Sequence, residues 1–87
     1  MDAIQGAVLG IKRKHIAGWT ERRRELAGRY LEKLRDLPID LPTVADDRDH
    51  VWHLFVTLHP DRDRVRAGLE ERGIQTGLHY PIPVHLQ

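Results

Sequence analysis

Six histidines, two tyrosines and three lysines are the side chains of this 87-residue sequence with types that could do chemistry. Zinc is the first chemistry to weigh, and His50-x-x-His53 is the closest pair of imidazoles. Both lie in a run of strand composition, where residues three apart point to opposite faces, so the two do not easily share an ion. There is no cysteine and no His-Glu-x-x-His signature, so no metal site is expected. His53 reads as part of the strand, and His15 as a helix-face residue near a bend. The lysines, Lys12, Lys14 and Lys33, fall in predicted helices among charged neighbours. That setting gives none of them the desolvation that tunes an amine for covalent work.

The segment Gly73–Gln87 offers a different chemistry. It ends Gly-Leu-His-Tyr-Pro-Ile-Pro-Val-His-Leu-Gln, and the proline at 81 pushes Tyr80 into an extended conformation while Pro83 prolongs the constraint. Gly77 inside a strand pattern predicts a bulge or a close backbone approach. A stiff segment that displays His79, Tyr80 and His85 just past a strand end is a common place for ligand contacts. Aromatic and imidazole groups beside prolines also pack loops onto domain surfaces, and spacing alone leaves both readings open.

The elements that must position these groups follow from composition and periodicity. Eighty-seven residues make at most one small domain, or a piece of a larger one. With 40% hydrophobic and 31% charged residues, the balance is that of a folded, soluble protein. A net charge of +1 gives no general case for nucleic acid or an anionic membrane as partner. No apolar run reaches membrane-span length, the N-terminus lacks the apolar core of a signal peptide, and cysteine is absent, which makes the cytoplasm the expected location.

Along the chain, Met1–His15 predicts an amphipathic helix, with Asp2 and Gln5 spaced as a capping box and Ile4, Val8, Ile11 and His15 along one face. Gly6 and Gly10 weaken it, so it needs tertiary support or a close neighbour. A second helix is expected from about Trp19 to Leu37, broken from the first at Gly18 and capped by Thr20. Its stripe is Leu26, Tyr30, Leu34 and Leu37, widened by Ala27 and Leu31. Arg22, Arg23, Glu25, Arg29, Glu32, Lys33 and Asp36 form a solvated face on which Glu25 and Arg29 are neighbours. Pro38 stops this helix, and Ile39 and Leu41 predict a short edge strand that Pro42 ends.

Val51–Leu58 is the central strand of this reading. Alternation places Trp52, Leu54, Val56 and Leu58 on one apolar face, worth about 1.5–3 kcal/mol per buried side chain, as a floor for helices. Pro60-Asp61 starts a third helix with Val65 and Leu69 inward and Gly73 just past its end, and Ile74–Leu78 is a further strand. The expected fold class is therefore α/β: a small sheet of two to three strands with helices packed on one face. As a domain it divides into N-terminal helices over 2–37, a strand–helix–strand unit over 51–79 and a proline-rich loop over 80–87.

Four stretches carry a resemblance to a known family. Gly73–Gln87, His50-Val-Trp-His-Leu-Phe-Val, Met1-Asp-Ala-Ile-Gln5, and His15-Ile-Ala-Gly-Trp19 with Arg22-Arg-Arg-Glu-Leu-Ala27 and Tyr30 resemble, in order, parts of the small domain of DegT/StrS-type sugar aminotransferases. The resemblance implies the aspartate-aminotransferase fold, a homodimer, and pyridoxal 5'-phosphate (PLP) as cofactor. It also implies transfer of an amino group from an amino-acid donor, often glutamate, to a nucleotide-linked keto sugar. The cofactor lysine, the large cofactor domain and an Asn-x-Arg segment would then lie outside these residues, with Met1 internal to a longer parent. On this resemblance His79, Tyr80 and His85 sit on the substrate side, no residue here is catalytic or cofactor-binding, and the chain alone is inactive. A non-catalytic interaction module built on the same domain is the alternative.

Overall fold

A computed structural model describes residues 2–87. Three α-helices follow in order: α1 (Ala3–Lys12), α2 (Ile16–Leu34) and α3 (Arg62–Glu71), with a 3-10 turn at Val84–Leu86. Asp2 caps α1 as its spacing predicts, its carboxylate accepting from the Gln5 amide at 2.7 Å. The break after α1 falls at Arg13–His15 rather than at Gly18, which lies inside α2. The Lys12-Arg13-Lys14 cations sit where the negative end of the helix dipole favours them. His15 opens α2 with its ring stacked on Trp19, centroids 5.6 Å apart. The helix ends at Leu34, not Leu37, because a proline at 38 clashes with the carbonyl four residues back and forces its predecessor out of the α region.

The expected α/β class is overturned. Among the described residues there is no strand, and the two- to three-stranded sheet is reduced to one antiparallel bridge between Asp40 and Leu58. The two residues exchange both hydrogen bonds, Asp40 N to Leu58 O at 2.9 Å and Leu58 N to Asp40 O at 3.0 Å. Antiparallel pairing would next match residue 42 with 56 and residue 38 with 60. Pro42, Pro38 and Pro60 occupy three of those four places and have no amide hydrogen to donate, so the ladder stops in both directions.

Val51–Leu58 fails as a strand for a second, local reason. The Trp52 amide donates to His50 Nδ1 at 2.8 Å, the two rings stack at 4.0 Å, and Trp52 takes φ 55°. A bulky residue in the left-handed region ends an extended run. The alternation is lost with it: Trp52 and Phe55, expected on opposite faces, stack at 5.6 Å, and Leu54, Val56 and Leu58 are exposed. The segment lies across α2 instead. Phe55 meets the Tyr30 ring at 5.1 Å, and Arg23 Nη1 donates to the carbonyls of Trp52 and His53, each at 2.9 Å. Ala27, between Arg23 and Tyr30 on that face, is the one buried apolar residue among those described, 3% exposed. Its single methyl lets a backbone approach the helix closely.

Arg23 stays exposed while it reaches these carbonyls, and Glu25 pairs with Arg22 at 2.8 Å rather than with Arg29. That exposed ion pair stabilises little. The end of α3 follows the sequence closely. Gly73 at φ 79° donates to Glu70 O at 3.0 Å and Ile74 to Leu69 O at 2.9 Å, the paired bonds of a Schellman cap. Ile74–Leu78 runs back along α3 without pairing into a sheet, tied by the Arg66 Nε bond to Thr76 Oγ1 at 3.2 Å. No helix is long and apolar enough to cross a membrane among the described residues.

Candidate functional site

The Schellman cap turns the chain back along α3 and delivers it to residues 78–87. At Gly77 no backbone makes the close approach its position predicts: a methyl group placed there would meet only the His79 side chain, at an ordinary contact distance of 3.4 Å from Cε1. The His79 and Tyr80 rings lie 5.4 Å apart and tilted by 60°, and Tyr80 is 74% exposed. Beyond Pro83, the Leu86 amide bonds back to Pro83 O at 2.9 Å, setting the 3-10 turn that carries His85. The Gln87 side chain closes the loop onto Ile82 O at 3.3 Å.

The structure thus brings His79 and Tyr80 together, whereas no ring contact joins His85 to them among the described residues. All three side chains are exposed, and none hydrogen-bonds to a described residue. Two imidazoles and a phenol left free in this way can donate to or accept from hydroxyl and phosphate oxygens of a ligand. Two shallow depressions lie elsewhere. One of about 480 Å³ is lined by His59, Arg64 and Arg72 of the α3 region, and one of about 310 Å³ by the loop Thr43–Val51.

Two positioning residues escaped the sequence pattern, Arg23 and Arg66. Their polarity marks them as solvated in any periodicity argument. The signal for Arg23 was its spacing: seven residues before Tyr30, four before Ala27, on the same helical face. For Arg66, the glycine turn at 73 brings Thr76 back alongside the helix.

The remaining histidines have local duties. His50 Nδ1 accepts from Trp52 and His59 Nδ1 from the Asp61 amide at 2.9 Å. Among the described residues no three His, Asp or Glu side chains converge to hold a metal ion. The described residues do not fit an anchor for PLP either. Lys12, Lys14 and Lys33 are all exposed, and no polar side chain is buried where a carboxylate would face a pyridine nitrogen.

A family model described as the DegT/DnrJ/EryC1/StrS aminotransferase family matches residues 1–87, the whole chain. The chain belongs to this aminotransferase family. It is 47% identical over 87 residues, all of its own length, to the dTDP-3-amino-3,6-dideoxy-alpha-D-galactopyranose transaminase of Aneurinibacillus thermoaerophilus. It is 49% identical, over 99% of its length, to the dTDP-3-amino-3,4,6-trideoxy-alpha-D-glucose transaminase of Streptomyces venezuelae. The erythromycin biosynthesis sensory transduction protein EryC1 of Saccharopolyspora erythraea is 44% identical over 99% of the chain. The aminotransferase segment spans about a quarter of the length of these curated relatives, 24%, 23% and 24% in turn.

Proposed function

We propose that these 87 residues are a segment of a PLP-dependent aminotransferase that moves an amino group between an amino-acid donor and carbon 3 of a dTDP-linked deoxyhexose. One observation carries this reading: whole-chain identity of 47% and 49% to two transaminases whose names both specify a dTDP-linked 3-amino sugar. The parent acts as a cytoplasmic homodimer with glutamate as the donor, and the PLP lysine lies outside this segment. The segment supplies binding groups rather than a catalytic residue. His79, Tyr80 and His85, on a loop stiffened by Pro81 and Pro83, hydrogen-bond the nucleotide sugar.

A second reading, a non-catalytic interaction module of the same family, rests on the relative named as a sensory transduction protein. A segment exchange separates the two. The 87 residues replace the matching quarter of the Aneurinibacillus enzyme, and turnover of the dTDP-linked 3-amino sugar with 2-oxoglutarate is followed. Transamination by the exchanged protein is expected; a folded, PLP-loaded exchange protein without turnover would favour the module. In parallel, the 87-residue chain dialysed after incubation with PLP is expected to retain no visible aldimine absorbance, since its three lysines are exposed amines that hold PLP only transiently. A stoichiometric aldimine that survives dialysis and is assigned, after reduction, to a single lysine would overturn the placement of the cofactor lysine elsewhere.

A further inference from the structure

Helix α1 carries no charged residue from Ala3 to Ile11, and Gln5 is its only polar side chain over that stretch. Ile4, Val8 and Ile11 line one side, Leu9 stands on another, and Gly6 and Gly10 occupy a third. A helix that lies on a surface keeps a polar face, whereas one apolar all round belongs in an interior. Yet Ile4 is 78%, Leu9 54% and Ile11 64% exposed, and nothing stands within 4 Å of a methyl group placed at Gly6 or Gly10. Among the described residues α1 has no packing partner.

The uncovered area indicates the size of what is needed to cover it. The accessible surface is 8087 Å², against about 5,300 Å² for a compact protein of this mass. The radius of gyration is 16.8 Å, where a compact chain of this length has about 12 Å. The excess of roughly 2,800 Å² is spread over the whole chain and is of the order that one partner of a large obligate homodimer buries, roughly 1,000 to above 2,500 Å², so area alone does not name the cover. An interface with a second copy covers one side of a helix, whereas α1 is apolar on several, and the relatives are about four times the length of this segment.

We propose that α1 is an interior helix of the parent enzyme, enclosed on its several sides by the remainder of the same polypeptide and not by a second subunit. This rests on the reading of the chain as a segment of a longer aminotransferase. The 87 residues contain no cysteine, so a single thiol at Val8→Cys, or at Leu9→Cys on another side of the helix, reports on the cover. Maleimide labelling is read by peptide-resolved mass spectrometry in the full-length parent, with the same variant unfolded in guanidinium as the reference rate. In the parent, labelling is expected to be slower by more than about a hundredfold, because the thiol reacts only on opening. The protection should persist when the parent is diluted until sedimentation shows monomer. Equal rates in the native parent and the unfolded reference overturn the proposal, as does protection that disappears on dilution, which makes the second subunit the cover. If neither variant folds, hydroxyl-radical footprinting of Leu9 and Ile11 in the wild-type parent reads the same exposure. Transaminase activity of the same preparation is measured separately: an active parent with a reactive thiol defeats this inference alone, and an inactive parent with a protected thiol defeats only the functional reading.

Discussion

Arg23 Nη1 lies 2.9 Å from the carbonyl oxygen of Trp52, and the same nitrogen reaches the His53 carbonyl, so one guanidinium on α2 fastens a segment 30 residues further along. Hydrogen bonds from a charged donor are each worth about 1.5–3 kcal/mol when shielded, and less on an exposed pair such as this. Arg23→Ala is expected to release the segment, shift Trp52 fluorescence toward the solvent-exposed value and lower stability by about 1–2 kcal/mol. An unchanged emission spectrum and melting curve would show that the Tyr30–Phe55 contact holds the segment unaided.

The turn after α3 depends on Gly73, whose φ of 79° disfavours any residue with a Cβ. Gly73→Ala should cost about 1 kcal/mol and reduce helicity in far-UV circular dichroism. Gly28, in the interior of α2 with nothing within 4 Å, supplies the opposite sign: Gly28→Ala should raise helicity by up to about 1 kcal/mol of propensity. The same sign for both substitutions would contradict the cap.

With Ala27 as its one buried apolar residue among those described, the 87-residue chain has little core to hold it as a monomer. It is expected to self-associate in sedimentation velocity and to melt without a sharp calorimetric transition. A monomer that unfolds cooperatively would contradict this.

On the proposed function, His79→Ala in the full-length parent is expected to raise the KM for the nucleotide sugar about 10- to 100-fold, as the loss of one or two substrate hydrogen bonds predicts. The half-reaction with the amino donor should stay near normal, because the group acts on the sugar and not on the donor. Arg64→Ala on the exposed side of α3 serves as the control. Loss of the donor half-reaction, or no effect on either, would remove His79 from the sugar site.

How far the sequence was legible differs from element to element. The Asp2 cap, the three helices and the glycine turn at 73 were readable because each rests on residues near one another in the chain. Val51–Leu58 was misread because strand composition states only a preference, whereas a strand exists only when another backbone pairs with it. Asp40 supplies one such partner, and the prolines at 38, 42 and 60 deny the rest.

By itself, then, the sequence determined the three helices, the Asp2 and Gly73 caps and membership of the aminotransferase family, since these follow from local spacing and from residue-by-residue likeness along the whole chain. Thr20, expected to cap α2, lies inside it instead, and His15 stands at its start. Only the tertiary structure decided that Arg23, still exposed, reaches the Trp52 carbonyl, that Trp52 and Phe55 stack from supposedly opposite faces, and that His79 stands beside Tyr80 while His85 stands apart. Those relationships join residues through space, where a left-handed Trp52 or a missing proline N–H redirects the chain in ways that hydrophobic periodicity does not register.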